Sequence, residues 1–219
     1  MSVALQIQRL LEKLPSGITL VAVSKFQPVS ALMEAYGAGQ RCFGESRAQE
    51  FVQKVAEMPS DVAWHFIGHL QTNKVKMVVG KAALIHSVDS EGLLDALDKE
   101  AQRQGVVQDV LWEVHVAQEE SKWGFAPEAL PALVERLLHG DWPHLRVCGL
   151  MGMASLVDDT QQIRAEFAQI KQAFDGLKAG AFAASPHFKI LSMGMSSDWP
   201  IAVEEGSTLI RVGSQIFAP

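Results

Sequence analysis

The chain has 219 residues, 48% of them hydrophobic and 20% charged, with a net charge of −6. That is the balance of an ordinary globular protein, long enough to bury a core without staples, and an acidic chain with no basic block is not built to hold nucleic acid. No apolar run approaches the roughly 18–20 residues of a membrane helix. Cys42 and Cys148 both lie in apolar runs, with no leader peptide ahead of them, so they are read as buried thiols in a reducing, cytoplasmic compartment.

Val3, Ile7, Leu10, Leu11 and Leu14 recur at helical spacing until Pro15-Ser-Gly17 stops them. Leu20-Val-Ala-Val-Ser-Lys25 follows, an apolar β-branched run that ends in a lysine, and is predicted as the first strand. Pro28 opens a helix to about Ala35, stopped by Gly37 and Gly39. Arg41 to Glu45 is a second strand. Arg47 to Met58 is a helix with Phe51, Val52 and Val55 as its apolar stripe. Trp64 to Gly68 is a third strand, Asn73 to Ala82 a short helix, and Ala83 to Val88 a fourth strand. Ser90 caps a helix through Gln104, which Gly105 ends.

Val110 to Val116 is the fifth strand, Pro127 to Leu138 a helix, and Leu145 to Leu150 the sixth strand. In the helix from Asp158 to Leu177, Ile163, Phe167, Ile170, Phe174 and Leu177 step by 4, 3, 4 and 3. Phe188 to Leu191 is the seventh strand. Asp198 caps a short helix to Glu205 with Pro200 in its first turn, and Thr208 to Val212 is the eighth strand.

Eight short strands, each separated from the next by a helix, with hydrophobicity that is continuous rather than alternating, predict a (β/α)8 barrel spanning residues 1–219 as one domain. The chain leaves no room for a helix after the last strand, so the extra N-terminal helix is expected to fill that gap in the outer ring. The rival is an open doubly wound sheet, but no G-x-G-x-x-G follows the first strand.

In a barrel the C-terminal strand ends share one mouth. They bring Lys25, Glu45, Gly68, His69, Asp89, Ser192 through Ser197, and Arg211 through Ser214 to it. Met193-Gly-Met-Ser-Ser-Asp198 leads into a helix start, and Gly213 lets the backbone approach a ligand closely, so the loops after strands seven and eight are read as a phosphate nest. An amine and a phosphate nest in one pocket suit imine chemistry with a phosphorylated aldehyde, for which pyridoxal phosphate and a sugar phosphate both qualify. Arg211, two residues before Gly213 and deeper in the strand, is placed to reach the ring of such a cofactor.

Val23-Ser-Lys25, Phe43-Gly-Glu45, Trp64-His-Phe-Ile-Gly68-His-Leu-Gln-Thr-Asn-Lys74, Ser121-Lys-Trp-Gly124, Leu191-Ser-Met-Gly-Met-Ser196 and Arg211-Val-Gly-Ser214 occur in this order and span nearly the whole chain. Together they resemble the pyridoxal phosphate homeostasis protein family, whose barrel is similar to the N-terminal domain of bacterial alanine racemase, a fold type III enzyme. The resemblance implies that pyridoxal 5'-phosphate (PLP) is held as an aldimine on Lys25. It implies that Ser196, Gly213 and Ser214 hold the phosphate and that Arg211 faces the pyridine nitrogen. Two positions depart from the family pattern. Ser46 stands where an asparagine is usual, which puts any amide contact to the cofactor there in doubt, and Arg47 replaces a common aromatic.

In the racemases that the chain resembles, a tyrosine supplied with the help of a further β domain is the second acid/base. Here the chain ends after the eighth strand, and its one tyrosine, Tyr36, falls in the helix after strand one and is expected in the outer layer. A guanidinium cannot accept a proton, so Arg211 weakens the electron sink of a PLP enzyme, and an open mouth excludes water poorly. The expectation is a carrier that captures PLP on Lys25 and releases it to apo-enzymes, with no membrane or nucleic-acid partner. The alternatives are a PLP-dependent racemase or lyase of low activity with Lys25 as base, and a sugar-phosphate aldolase that needs no cofactor.

Lys122 is read as an exposed loop lysine, with a second amine near the mouth that helps transfer as the alternative. His65 and His69, four apart, straddle a strand end and have no glutamate beside them, so no metal site is expected. His86 and His115 are read as hydrogen-bonded core residues. Trp123 and Trp142 lack the basic groove of a nucleic-acid platform.

Overall fold

Both faces of each strand are covered, which is why the apolar runs need not alternate. β1 (Thr19–Val23) pairs in parallel with β2 (Cys42–Glu45) and with β8 (Leu209–Val212). Between them β3 (Ala63–Phe66), β4 (Leu84–Val88), β5 (Gln108–Val114), β6 (Leu145–Gly152) and β7 (Ile190–Ser192) complete a closed parallel barrel in chain order. The computed structural model describes residues 2–116 and 123–217. The closed barrel is the expected architecture, and it overturns the open-sheet rival.

The outer ring consists of α1 (Val3–Lys13), α2 (Val29–Gly37), α3 (Ala48–Glu57), α4 (Val75–Val78), α5 (Glu91–Gln104), α6 (Leu130–Leu138), α7 (Thr160–Ala179), α8 (Trp199–Glu204) and α9 (Ser214–Phe217). Local chemistry sets their ends. The Ser90 hydroxyl accepts from Leu93 N, and Gly105 closes α5 in the left-handed conformation at φ 68°. The Asp159 carboxylate accepts from the N–H groups of Gln161 and Gln162 at the start of α7. Among the described residues no helix is long and apolar enough to cross a membrane.

Several details differ from the sequence reading. A single helical turn, α9, does follow the last strand, and α1 packs between it and α2. The segment expected as a helix over Asn73–Ala82 is a 3-10 turn at Thr72–Lys74 followed by the one-turn α4. β1 stops at Val23, so Ser24 and Lys25 lie just past the strand. Asp198 makes no capping bond to α8; its Oδ1 accepts from Met195 N at 2.6 Å instead. Cys42 is only part-buried, whereas Cys148 is buried; both thiols are free, and burial pushes each up to about 12.

The barrel interior and the shell between barrel and helices are separate apolar clusters. Val21, Leu84, Leu111, Cys148, Met151 and Leu209 fill the inside, while Phe43, Phe51, Trp64, Phe66, Phe167 and Phe188 belong to the larger outer cluster. Side chains alternate along a strand. Two residues beyond interior Leu209, Leu84 and Leu111 come Arg211, His86 and Glu113, a polar layer toward the mouth.

Candidate functional site

Beyond β1 the chain remains tied to β2. Ser24 N donates to Gly44 O at 2.8 Å, and Ser24 Oγ lies 2.8 Å from Glu45 Oε2. The next residue, Lys25, projects at the mouth, and its ammonium has no hydrogen bond or ion pair among the described residues. Its backbone, by contrast, is gripped from α3. Buried Lys54 places Nζ 2.8 Å from Ser24 O, 2.7 Å from Glu45 Oε2 and 3.1 Å from Glu50 Oε2, which gives each of its three protons a partner. Glu50 Oε2 also accepts from Phe26 N at 3.2 Å.

The peptide groups before and after Lys25 are thus both hydrogen-bonded to one charged cluster. Phe26 is held at φ 64°, a conformation that side chains rarely adopt, with its ring under the Arg47 guanidinium, 4.4 Å away. Burial works against the charge of Glu50, but Lys54, the Phe26 N–H and Arg47 together hold its carboxyl below the usual range.

Lys25 opens into a cavity of about 450 Å³ shared with Val23, Ser46, Ile67, Met153, Met195, Ser196, Ser197, Arg211, Gly213 and Ser214. Lys25, Ser196, Arg211, Gly213 and Ser214, singled out from the sequence, all line this one space. Val23, Ile67, Met153 and Met195 give it apolar walls. Ser46 lines it as well, with a hydroxyl that has no partner among the described residues.

The two loops that close one end are tied together. Gly213 N donates to Ser196 Oγ at 3.3 Å, and Gln215 Nε2 donates to Ser196 O at 2.7 Å. The Gly213 N–H is therefore engaged, and the N–H groups of Ser196, Ser197 and Ser214 are the ones without a partner among the described residues. Gly194 makes the turn possible: at φ 93° a Cβ there would lie 2.9 Å from Trp199 Cα.

Arg211 is buried at the floor. Its Nη1 donates to Ser192 O at 2.9 Å and to Ser192 Oγ at 2.5 Å, and its Nη2 to Gly152 O at 3.2 Å. Its Nε–H has no partner among the described residues. Burial lowers the guanidinium to about 10, against the pull of Glu113 and Asp198, so it stays charged at neutral pH. Glu113, 4% exposed, is raised to about 7 by burial and by Asp89, with Arg211 opposing.

Other residues expected at the mouth go elsewhere. Glu45 is fully buried and turns to Lys54 and Ser24. His69 bonds through Nδ1 to Asp89 Oδ2 at 2.7 Å, stacks on Trp123 at 3.9 Å, and lines a neighbouring hollow with Arg47, Gln71 and Lys74. His65 is directed to His86 and Cys42, so His65 and His69 face different partners.

His86 is hydrogen-bonded as expected, but His115 Nδ1 is buried without a partner among the described residues, contrary to the reading of that residue. Tyr36 sits in the outer layer, its hydroxyl donating to Asp61 at 2.8 Å. Trp142 Nε1 donates to Asp95, a packing role. Ser121 and Lys122 lie outside the described residues. Lys54, Glu50 and Glu113 were not anticipated. Lys54 did leave a signal, since it falls three residues after Phe51 on the apolar stripe of α3, where a lone lysine needs a buried partner.

The cavity can hold an anion at its serine-rich end and a planar group between apolar walls, with an amine at one side and a guanidinium at the floor. The family described as alanine racemase, N-terminal domain, matches residues 2–218. A pyridoxal phosphate homeostasis protein of Aquifex aeolicus is 42% identical over 199 residues, covering 90% of this chain and 85% of that one. Among solved structures, PipY of Synechococcus elongatus without PLP superposes with a TM-score of 0.92 at 39% identity, covering 99% of this chain and 100% of that one. The same protein with PLP bound superposes with a TM-score of 0.86 at 38% identity and the same coverage.

Proposed function

The chain belongs to the pyridoxal phosphate homeostasis protein family, and on that premise we propose that it binds pyridoxal 5'-phosphate covalently on Lys25, keeps the free aldehyde low, and releases the cofactor to apo-enzymes. The observation that carries this reading is the single cavity joining Lys25, Arg211, Ser196, Gly213 and Ser214. When bound, the cofactor supplies an aldehyde that condenses reversibly with an amine, and a phosphate that serves as an anionic handle.

The residues present fit that group. Lys25 would be the point of attachment, its amine free of competing partners among the described residues. The open N–H groups of Ser196, Ser197 and Ser214 would receive the phosphate, with Ser196 Oγ and the Gly213 N–H available once their mutual bond yields. The Nε–H of Arg211, without a partner among the described residues, would meet the ring nitrogen as a donor. Residues 1–219 would act as one cofactor-binding unit.

Two observations support carriage over turnover. Arg211 has donors only, so it holds a ring nitrogen unprotonated and weakens the electron sink that amino-acid chemistry needs. The one tyrosine is spent on Asp61 in the outer layer and cannot serve as a second acid/base in the cavity.

The test is direct. Purified protein mixed with PLP should absorb in the visible range, and Lys25→Ala should abolish this. Borohydride reduction followed by peptide mass spectrometry should place a pyridoxyl adduct on Lys25. An adduct on another lysine overturns the attachment site, and racemisation of alanine or serine at ordinary enzymatic turnover overturns the carrier.

A further inference from the structure

Side chains that fill such barrels are mostly apolar, yet here a polar chain runs through the interior. Arg211 Nη1 donates to Ser192 Oγ at 2.5 Å, and Ser192 Oγ lies 3.0 Å from His86 Nδ1. His86 Nε2 lies 2.8 Å from His65 Nδ1, and His65 Nε2 lies 3.3 Å from Cys42 Sγ. The path crosses from β8 and β7 to β4 and returns along β3 to β2. Ser192 and His86 are fully buried, His65 and Arg211 nearly so. Neither histidine lines the cavity.

The direction of these bonds follows from donor inventory. Arg211 can only donate, so Ser192 Oγ must accept from it. The single Ser192 hydroxyl proton then needs an acceptor, and His86 Nδ1 is the one within reach. With Nδ1 accepting, a neutral His86 carries its proton on Nε2 and gives it to His65 Nδ1. His65 carries its own proton on Nε2 and directs it at Cys42 Sγ. Running the chain the other way, from the thiol, would leave the Ser192 O–H buried with nothing to bond. Both rings are neutral at ordinary pH. Burial lowers His65 to about 4, and burial with the nearby His65 and Arg211 drives His86 well below its usual value.

We propose that Ser192, His86 and His65 are positioning residues for Arg211: a neutral relay of fixed polarity that keeps the Ser192 hydroxyl oxygen turned toward Arg211 Nη1 as an acceptor and so pins the guanidinium at the cavity floor. None of its members can pass a proton to a ligand, because the group at the cavity end is a permanent donor. The relay steadies a charge without providing an acid. Its effect on cofactor binding rests on the PLP reading above; its internal polarity does not.

The test has one arm for each. In ligand-free protein labelled with 15N-histidine, long-range proton–nitrogen correlation at neutral pH should show His65 and His86 both as Nε2–H tautomers. A ring at either position protonated on Nδ1, or on both nitrogens, overturns the relay. In PLP titrations, Ser192→Ala should weaken binding about tenfold, the scale of one hydrogen bond to a charged group, and Ser192→Thr should restore it to within about twofold. Equal binding by Ser192→Ala and the parent chain, or a threonine variant as weak as alanine, overturns the positioning role. Borohydride trapping on the parent chain separates the two readings. If no PLP is trapped on Lys25, the cofactor assignment fails, while the tautomers still decide the relay.

Discussion

The ammonium of Lys54 lies 2.8 Å from the carbonyl oxygen of Ser24, across the gap between α3 and the end of β1. The same amine meets Glu45 Oε2 at 2.7 Å, and both side chains are almost wholly buried. A helix in the second βα unit thus holds the backbone on which the Lys25 amine is mounted. Buried pairs of this kind gain little over apolar packing but are costly to break.

Lys54→Met removes one partner and leaves Glu45 charged, buried and short of a counter-ion. The expected loss is roughly 3 kcal/mol in urea unfolding. The double variant Lys54→Met/Glu45→Gln should recover part of it, because no unpaired charge remains. A single variant as stable as the parent chain would remove the cluster from the account of how Lys25 is held.

Gly68 marks where β3 passes the loop after β2. A Cβ there would lie 2.3 Å from Ser46 O and 2.7 Å from Ser46 Cα, so Gly68→Ala must displace Ser46, a wall of the cavity. PLP affinity, followed by absorbance titration, is expected to fall about tenfold or more. Unchanged affinity in a folded variant would show that the position of this wall does not matter to the ligand.

The barrel was legible because its evidence is local and repeated. The apolar runs and the Ser90 and Gly105 helix signals recur at short range, and eight such units leave few ways to close. The cavity was legible through one rule, that strand C-termini converge, and this put Lys25 beside Ser196 and Arg211 although they are far apart in the chain.

What the sequence did not disclose depends on where a side chain turns after its strand ends. Glu45 lies at a strand terminus as Lys25 does, but it folds back to Lys54 while Lys25 points out, and periodicity cannot tell the two apart. The pairing of His86 with Ser192 spans 106 positions and depends on register across the barrel, which composition does not encode. Asp198 read as a helix cap from its place before Trp199 and Pro200, yet a backbone N–H three residues earlier captured it.

Gly149 sits where the pairing of β5 with β6 slips by one residue. Its φ is 149°, and a Cβ would come within 1.8 Å of Ile190 O, a backbone atom of the neighbouring strand. The clash is with backbone, so Gly149→Ala should cost about 4 kcal/mol or more, a large share of the roughly 5–15 kcal/mol that holds a folded domain. Circular dichroism melting reads this directly. A cooperative transition at the parent temperature would mean that the strands can separate without loss.

Glu113 makes stability depend on pH in the direction opposite to most carboxylates. It is 4% exposed inside the barrel, and burial and Asp89 raise it from 4.5 to about 7. The folded state therefore holds a proton that the unfolded chain releases between these values. By linkage, its contribution is fully present below about 4.5 and is lost as pH rises through about 7. At about 1.4 kcal/mol per pH interval of one, the change is roughly 3 kcal/mol. Glu113→Gln, neutral at every pH, should match the parent chain in stability near pH 5 and exceed it near pH 8, as measured by urea unfolding at several pH values. The opposing pull of Arg211 is already contained in the value of about 7. A stability difference between the two chains that stays flat from pH 5 to pH 8 would mean that Glu113 is already charged in the fold, held so by Arg211 despite its burial.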